Sequence, residues 1–182
     1  MTSTDVFINT ASTFLGGFIA LVGVYFTNRS SLKAKEAEFS HERTMKQQGT
    51  LRERGEELYE LVENWANAMF SHYLVKNGIM KGDLTYNEGL DLEINNNNDF
   101  AVNFARLEML IDVYFFDTRP EYDQVISHRT AINQILNEHK SQYEIGITDG
   151  AIYIKRFQVE QNYMDSKINL LKLKIAEKIR SA

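Results

Sequence analysis

The hydrophobic pattern divides the chain into one uncharged N-terminal run and a longer part in which apolar residues recur at helical spacing. The uncharged run extends from Val6 to Asn28, between Asp5 and Arg29. Its first 21 residues would form a helix about 31 Å long, which matches the hydrocarbon thickness of a bilayer. The run lacks the basic n-region of a cleaved signal peptide. The pattern therefore predicts a single N-terminal transmembrane helix, with residues 1–27 as the membrane anchor.

The charges on either side of this helix predict its orientation. Only the acidic Asp5 precedes it, whereas Arg29, Lys33 and Lys35 follow it. Basic flanking residues are retained on the cytoplasmic side of a membrane. We therefore expect the N-terminus outside and the C-terminal domain in the cytoplasm, with a bacterial inner membrane as the location.

Small and hydroxyl-bearing residues form a line along one side of the same helix. They recur at alternating spacings of four and three residues, at Asn9, Thr13, Gly16, Ala20, Gly23 and Thr27. Small residues allow two membrane helices to approach closely, and threonine or asparagine can hydrogen-bond across the contact. This small-residue stripe predicts a homo-oligomer formed through the transmembrane helix. It is also polar enough to line a narrow pore in a higher oligomer.

Behind the anchor, residues 28–49 are predicted to form a juxtamembrane helical stalk. No helix breaker lies between Thr27 and Gln48, and Gly49 is a candidate interruption. Leu32 and Phe39 are one heptad apart and Met45 lies near their line, which indicates a short coiled coil.

Residues 50–182 are predicted to form a cytoplasmic up-down bundle of four main helices, so the fold class is all-α. Apolar positions repeat at helical spacing in residues 51–74, 100–116, 118–143 and 151–180. Asn77-Gly78 is a typical helix stop, and Asp99 can cap the second of these helices. Two pairs of residues have capping-box spacing, Thr85 with Glu88 and Thr118 with Glu121. The first pair predicts an additional short helix that runs to about Ile94.

The net charge of −5 is unevenly distributed. Residues 29–54 carry seven basic and four acidic groups, and residues 124–182 carry nine basic and six acidic groups. Between them, residues 56–123 carry only four basic but fourteen acidic groups. Because an acidic middle repels phosphate, we expect no nucleic-acid partner. One acidic cluster is most simply a solvated helix face and secondarily a docking face for a cytoplasmic protein: Glu56, Glu57, Glu60 and Glu63.

The two basic segments are candidates for contact with the lipid bilayer. Anionic headgroups attract clusters of lysine and arginine. The candidate residues are Arg29, Lys33, Lys35, Lys174, Lys178 and Arg180. For the last three, favourable placement of cations at a helix C-terminus is an alternative explanation.

No catalytic or metal-binding motif is evident. The absence of cysteine excludes disulfides and thiolate metal sites. Glu38-x-x-His41 matches half of a carboxylate-bridged di-iron motif, but the second Glu-x-x-His unit is missing. A P-loop, a Gly-x-Ser-x-Gly sequence and a His-Glu-x-x-His sequence are also missing. We therefore expect no enzyme activity, no cofactor and no metal.

These features favour a membrane-anchored, self-associating helical-bundle protein that serves as an interaction or scaffold protein without catalysis. The alternative is an oligomerising, membrane-disrupting effector of the toxin or phage-defence type. In that case a trigger received by the cytoplasmic bundle would assemble the striped helices. The alternative rests on architecture alone.

Overall fold

All regular structure in the described part of the chain is helical. The computed structural model describes the backbone of residues 3–96 and 102–181, and the side chains of residues 24, 25, 27–95 and 102–181. The elements are α1 (Ser3–Lys81), α2 (Tyr86–Asn96), α3 (Phe104–Tyr114), a 3₁₀ turn (Phe116–Thr118), α4 (Arg119–Glu144) and α5 (Ala151–Ser181). The predicted all-α class is confirmed. The chain divides into two compact units, Met1–Gln48 and Gly49–Ala182.

The first unit contains the N-terminal part of α1. Every side chain from residue 27 to residue 48 is exposed. The predicted transmembrane segment, apart from a few residues at its C-terminal end, lies outside the residues whose side chains are described. The same holds for every member of the small-residue stripe except Thr27. Among the residues that are described, no helix is long and apolar enough to cross a bilayer.

α1 continues through both glycines that were expected to interrupt or stop it. Gly49 lies within the helix, and so does Gly78. The helix ends at Lys81, and the following Gly82 adopts φ +79°, the left-handed conformation in which glycine commonly ends a helix. The predicted stop was wrong because a glycine inside a helix costs only about 1 kcal/mol, which packing of the bundle can offset.

The second unit is a helical bundle in which α1 runs antiparallel to α5. Four contacts show this direction, because the residue number rises along α1 while it falls along α5. They are Gly55 with Ile179, Glu63 with Lys172, Tyr73 with Phe157, and Met80 with Gly150. α4 and α5 are also antiparallel, through Glu121 with Lys174 and Glu138 with Arg156. α3 packs beside α1, where Arg106 binds Glu57 and Phe104 meets Trp65. The predicted helical bundle is confirmed.

The core contains the apolar faces predicted for α1 and α5. The buried residues of these two faces include Leu58, Val62, Trp65, Met69, Tyr73, Phe157, Met164, Ile168, Leu171 and Ile175. α3 differs from its prediction, since it begins at Phe104 and its N-cap is Asn103, whose Oδ1 accepts from the Arg106 N–H at 3.0 Å. Val113 and Phe116 are 62% and 75% exposed, so this segment is not enclosed on several sides.

Only one of the two predicted capping boxes forms. Thr85 and Glu88 bond reciprocally, with N–H to side-chain distances of 2.8 and 3.2 Å. Thr118 instead donates its hydroxyl to the carbonyl of Phe115 at 2.7 Å. Its expected partner Glu121 is buried and binds Lys174. The prediction of the second capping box was therefore wrong, because the Glu121 carboxylate forms an ion pair with Lys174 of α5.

Candidate interaction surfaces

The spacing of small residues in the predicted anchor continues along the described part of α1. After Thr27, the alternation of three and four residues leads to Ser30, Ala34, Ala37, His41 and Thr44, all of them exposed. An α-helix turns by about 100° per residue, so positions at this spacing lie on one side. Thr44 Oγ1 donates to the carbonyl of Ser40 at 2.9 Å, which directs its hydroxyl to its own helix. The stalk therefore presents a side of mostly small residues.

Leu32 and Phe39 lie on the opposite side of the stalk. Each is 62% exposed. Leu32 follows Ser30 by two residues, which is about 200° of rotation. Met45 follows Phe39 by six residues and so lies about 120° away from the line of Leu32 and Phe39. It does not continue their heptad line, and the stalk carries two distinct exposed sides.

The six candidate lipid-contact residues fall into two groups. Arg29, Lys33 and Lys35 are exposed along the stalk. In α5, Lys174 binds Glu121, and Lys178 Nζ lies 2.8 Å from Asp117 Oδ2, while Arg180 is exposed in the last turn. The hydrogen bond from Lys178 lowers the pKa of Asp117. Two of the three α5 cations are therefore paired with carboxylates of the bundle.

The four acidic residues predicted as a docking face have different partners. Glu57 accepts from Arg106 Nη2 at 2.7 Å and from Arg54 Nη1 at 2.9 Å, and the Arg106 hydrogen bonds lower its pKa to about 2. Glu63 accepts from Lys172. Glu56 pairs with Arg52 on the same helix, and Glu60 is exposed. Two of the carboxylates thus link α1 to α3 and α5, and two stay on the solvent face.

A buried histidine joins α2 to α4 and was not recognised from the sequence. His139 is 1% exposed, and its Nδ1 lies 2.9 Å from the Tyr86 hydroxyl. Tyr143 and Tyr153 surround the same ring. Burial lowers the pKa of His139, so the ring is neutral at pH 7. Histidine is usually considered for metal or acid–base roles, and among the described residues no group of three His, Asp or Glu could hold a metal ion.

Comparisons with known proteins add no family. No protein-family model, no curated protein and no solved structure matches the chain.

Proposed function

We propose that this protein is anchored in a membrane by its N-terminal helix, self-associates through α1, and acts by interaction rather than by catalysis. The uncharged run from Val6 to Asn28 and the basic residues behind it support the anchor. The observation that carries self-association is the stalk, in which every side chain from residue 28 to residue 48 is exposed. Since helices in proteins gain most of their stability from packing, a stalk of this length favours a partner helix.

The stalk fits a second copy in parallel, in-register alignment. If the small residues form the contact, Lys33 and Glu38 flank it at positions that face each other across a parallel pair. Both are exposed, and the only ion pair among the described stalk residues joins Lys46 to Glu42 at 2.8 Å. Lys33 and Glu38 are therefore available to a partner. Two copies anchored in one membrane also point in the same direction, as this alignment requires.

Disulfide cross-linking tests this contact directly, because the chain has no cysteine of its own. Full-length Ala34→Cys and Ala37→Cys variants in isolated membranes should form disulfide-linked dimers on oxidation with copper–phenanthroline. Both positions face the proposed partner at the short separation that a disulfide needs. Glu36→Cys is the matched control, since its side chain points away from the contact. Equal cross-linking at Glu36 and Ala37 would show random collision and contradict the proposed contact.

The anchor predicts a specific labelling pattern in intact cells. Thr2→Cys should react with a membrane-impermeant thiol reagent, because the N-terminus is expected outside. Ala34→Cys should react only after the cells are permeabilised, which also shows that its thiol is reactive. Labelling of Ala34→Cys but not Thr2→Cys in intact cells would reverse the assignment, and labelling of neither before permeabilisation would argue against a spanning helix.

One observation favours the membrane-disrupting effector as a second candidate. Leu32 and Phe39 lie opposite the small residues, so each copy can contact two neighbours. Contacts on two sides are what assemblies larger than a dimer require. In such an assembly the small-residue stripe would face the other copies or a lumen, and a trigger acting on the bundle would control lesion formation.

A further inference from the structure

A cavity of about 350 Å³ lies where α1, α3 and α4 meet. Its size falls within the range of small-molecule sites, which are mostly apolar with a few polar groups. The lining shows the same division, with apolar Trp65, Met69 and Phe104 and polar His72, Arg129 and Asn133. These residues come from three helices, so the bundle fixes their positions.

Arg129 differs from the other arginines around it. Its guanidinium lies 5.7 Å from the centre of the Phe104 ring and forms no ion pair with any described residue. Five of the other six arginines within the bundle helices bind carboxylates, namely Arg52, Arg54, Arg106, Arg119 and Arg156. The sixth, Arg180, is exposed to solvent in the last turn of α5, whereas Arg129 is half-buried. A half-buried guanidinium with no anion is suited to a carboxylate, which matches its donor fork with two parallel hydrogen bonds.

The aromatic walls of the cavity suit a planar ring. Phe104 is 39% exposed, whereas Trp65 is 1% exposed and packs edge-to-face against it, with the ring centroids 5.8 Å apart at 86°. A flat ligand can therefore stack on the exposed part of the Phe104 ring, beside Trp65.

The remaining charges near the cavity leave Arg129 as its dominant charge. His72 Nδ1 and Lys76 Nζ each lie 2.9 Å from Glu93 Oε1, so Lys76 already neutralises that carboxylate. Burial lowers the pKa of His72, which is therefore neutral at pH 7. A cationic ligand would be repelled by Arg129, and a purely apolar one would strip water from the guanidinium without replacing its hydrogen bonds.

We propose that this cavity binds an aromatic carboxylate, with the carboxylate on Arg129 and the ring against Phe104, next to Trp65. The proposal is independent of the anchor and of self-association. A neighbouring groove of about 400 Å³ between α4 and α5 provides a contrast. There, the Arg156 guanidinium is already bound by Glu138 at 2.6 Å.

Trp65 is the only tryptophan in the chain and therefore reports on the cavity alone. In the purified, ¹⁵N-labelled full-length protein its indole N–H gives a single side-chain cross-peak. Titration with benzoate should shift this peak in a saturable manner. Benzyl alcohol and benzylamine, which keep the ring but lack the negative charge, should not. The absence of a saturable shift with benzoate, or an equal response to benzyl alcohol, would overturn the proposal.

Two variants separate binding at Arg129 from a general effect of charge. Arg129→Gln should weaken benzoate binding about 10- to 100-fold, as expected for loss of hydrogen bonds to a charged group. Arg156→Gln removes an arginine from the neighbouring groove and should bind benzoate as the unmodified protein does. If Arg129→Gln loses helical circular dichroism, Arg129→Lys is measured in its place, with a smaller but definite loss expected. Unchanged affinity in the folded Arg129 variant would refute the assignment.

Discussion

Trp65→Ala is expected to lower the free energy of unfolding of the bundle by about 3–5 kcal/mol. The side chain is 1% exposed and touches two other aromatic rings, Phe104 at 5.8 Å and Tyr122 at 5.7 Å between centroids. Removal of the indole leaves a cavity that α1, α3 and α4 can fill only in part. Urea unfolding of residues 49–182, followed by circular dichroism, measures the change.

The same helix provides a matched control for this substitution. Phe70 is 57% exposed, five residues beyond Trp65. Phe70→Ala should change the free energy of unfolding by no more than about 0.5 kcal/mol, as for most surface substitutions. Equal losses for the two variants, or no loss for Trp65→Ala, would mean that Trp65 does not lie in the core.

The helical core could be predicted because burial follows the 3.6-residue period of each helix. The spacing of Phe157, Met164, Ile168 and Leu171 requires a single buried face whichever helices cover it, and all four are buried. Apolar character alone does not predict burial in a short segment. Val113 and Phe116 are apolar, yet α3 ends at Tyr114 and both are exposed.

The polar contacts between helices could not be predicted, because they depend on which residues the fold brings together. Glu121 has the spacing of a capping box, but Lys174 reaches it from α5 and the cap does not form. Glu57 belongs to an apparently solvated acidic run, but Arg106 approaches it from α3. Gly55 carries no sequence signal of its role. A Cβ at that position would clash with Ile179 Cγ1, so the glycine allows close approach of α5.

The unpaired Arg129 illustrates what sequence analysis lacks most. Nothing in the sequence distinguishes it from the five bundle arginines that bind carboxylates. Its difference appears only when α1, α3 and α4 are packed and the acidic side chains are found elsewhere. A candidate ligand site of this kind is a property of the packed helices and not of a local motif.

Gly16→Leu should weaken self-association, and its effect on cell growth separates the two candidate functions. Leucine on the predicted stripe would keep two helices apart, whereas the same change at Gly17 lies off the stripe. Leucine also favours membrane insertion, so neither variant should reduce the amount of protein in the membrane. Combined with Ala37→Cys, Gly16→Leu should reduce the dimer fraction after oxidation and Gly17→Leu should not.

If the protein is a scaffold, as proposed, cells that express the unmodified chain at high level should keep growing and keep their membrane potential. Gly16→Leu would then change the cross-linking and nothing else.

An effector predicts the opposite, because a lesion needs the assembled stripe. Expression of the unmodified chain would depolarise the membrane and stop growth. Where a trigger is required, it would be supplied, for example by phage challenge. Gly16→Leu would restore growth while Gly17→Leu would not. Depolarisation relieved by Gly16→Leu alone would therefore replace the scaffold with the effector. Toxicity that both variants retain would exclude the stripe from the mechanism.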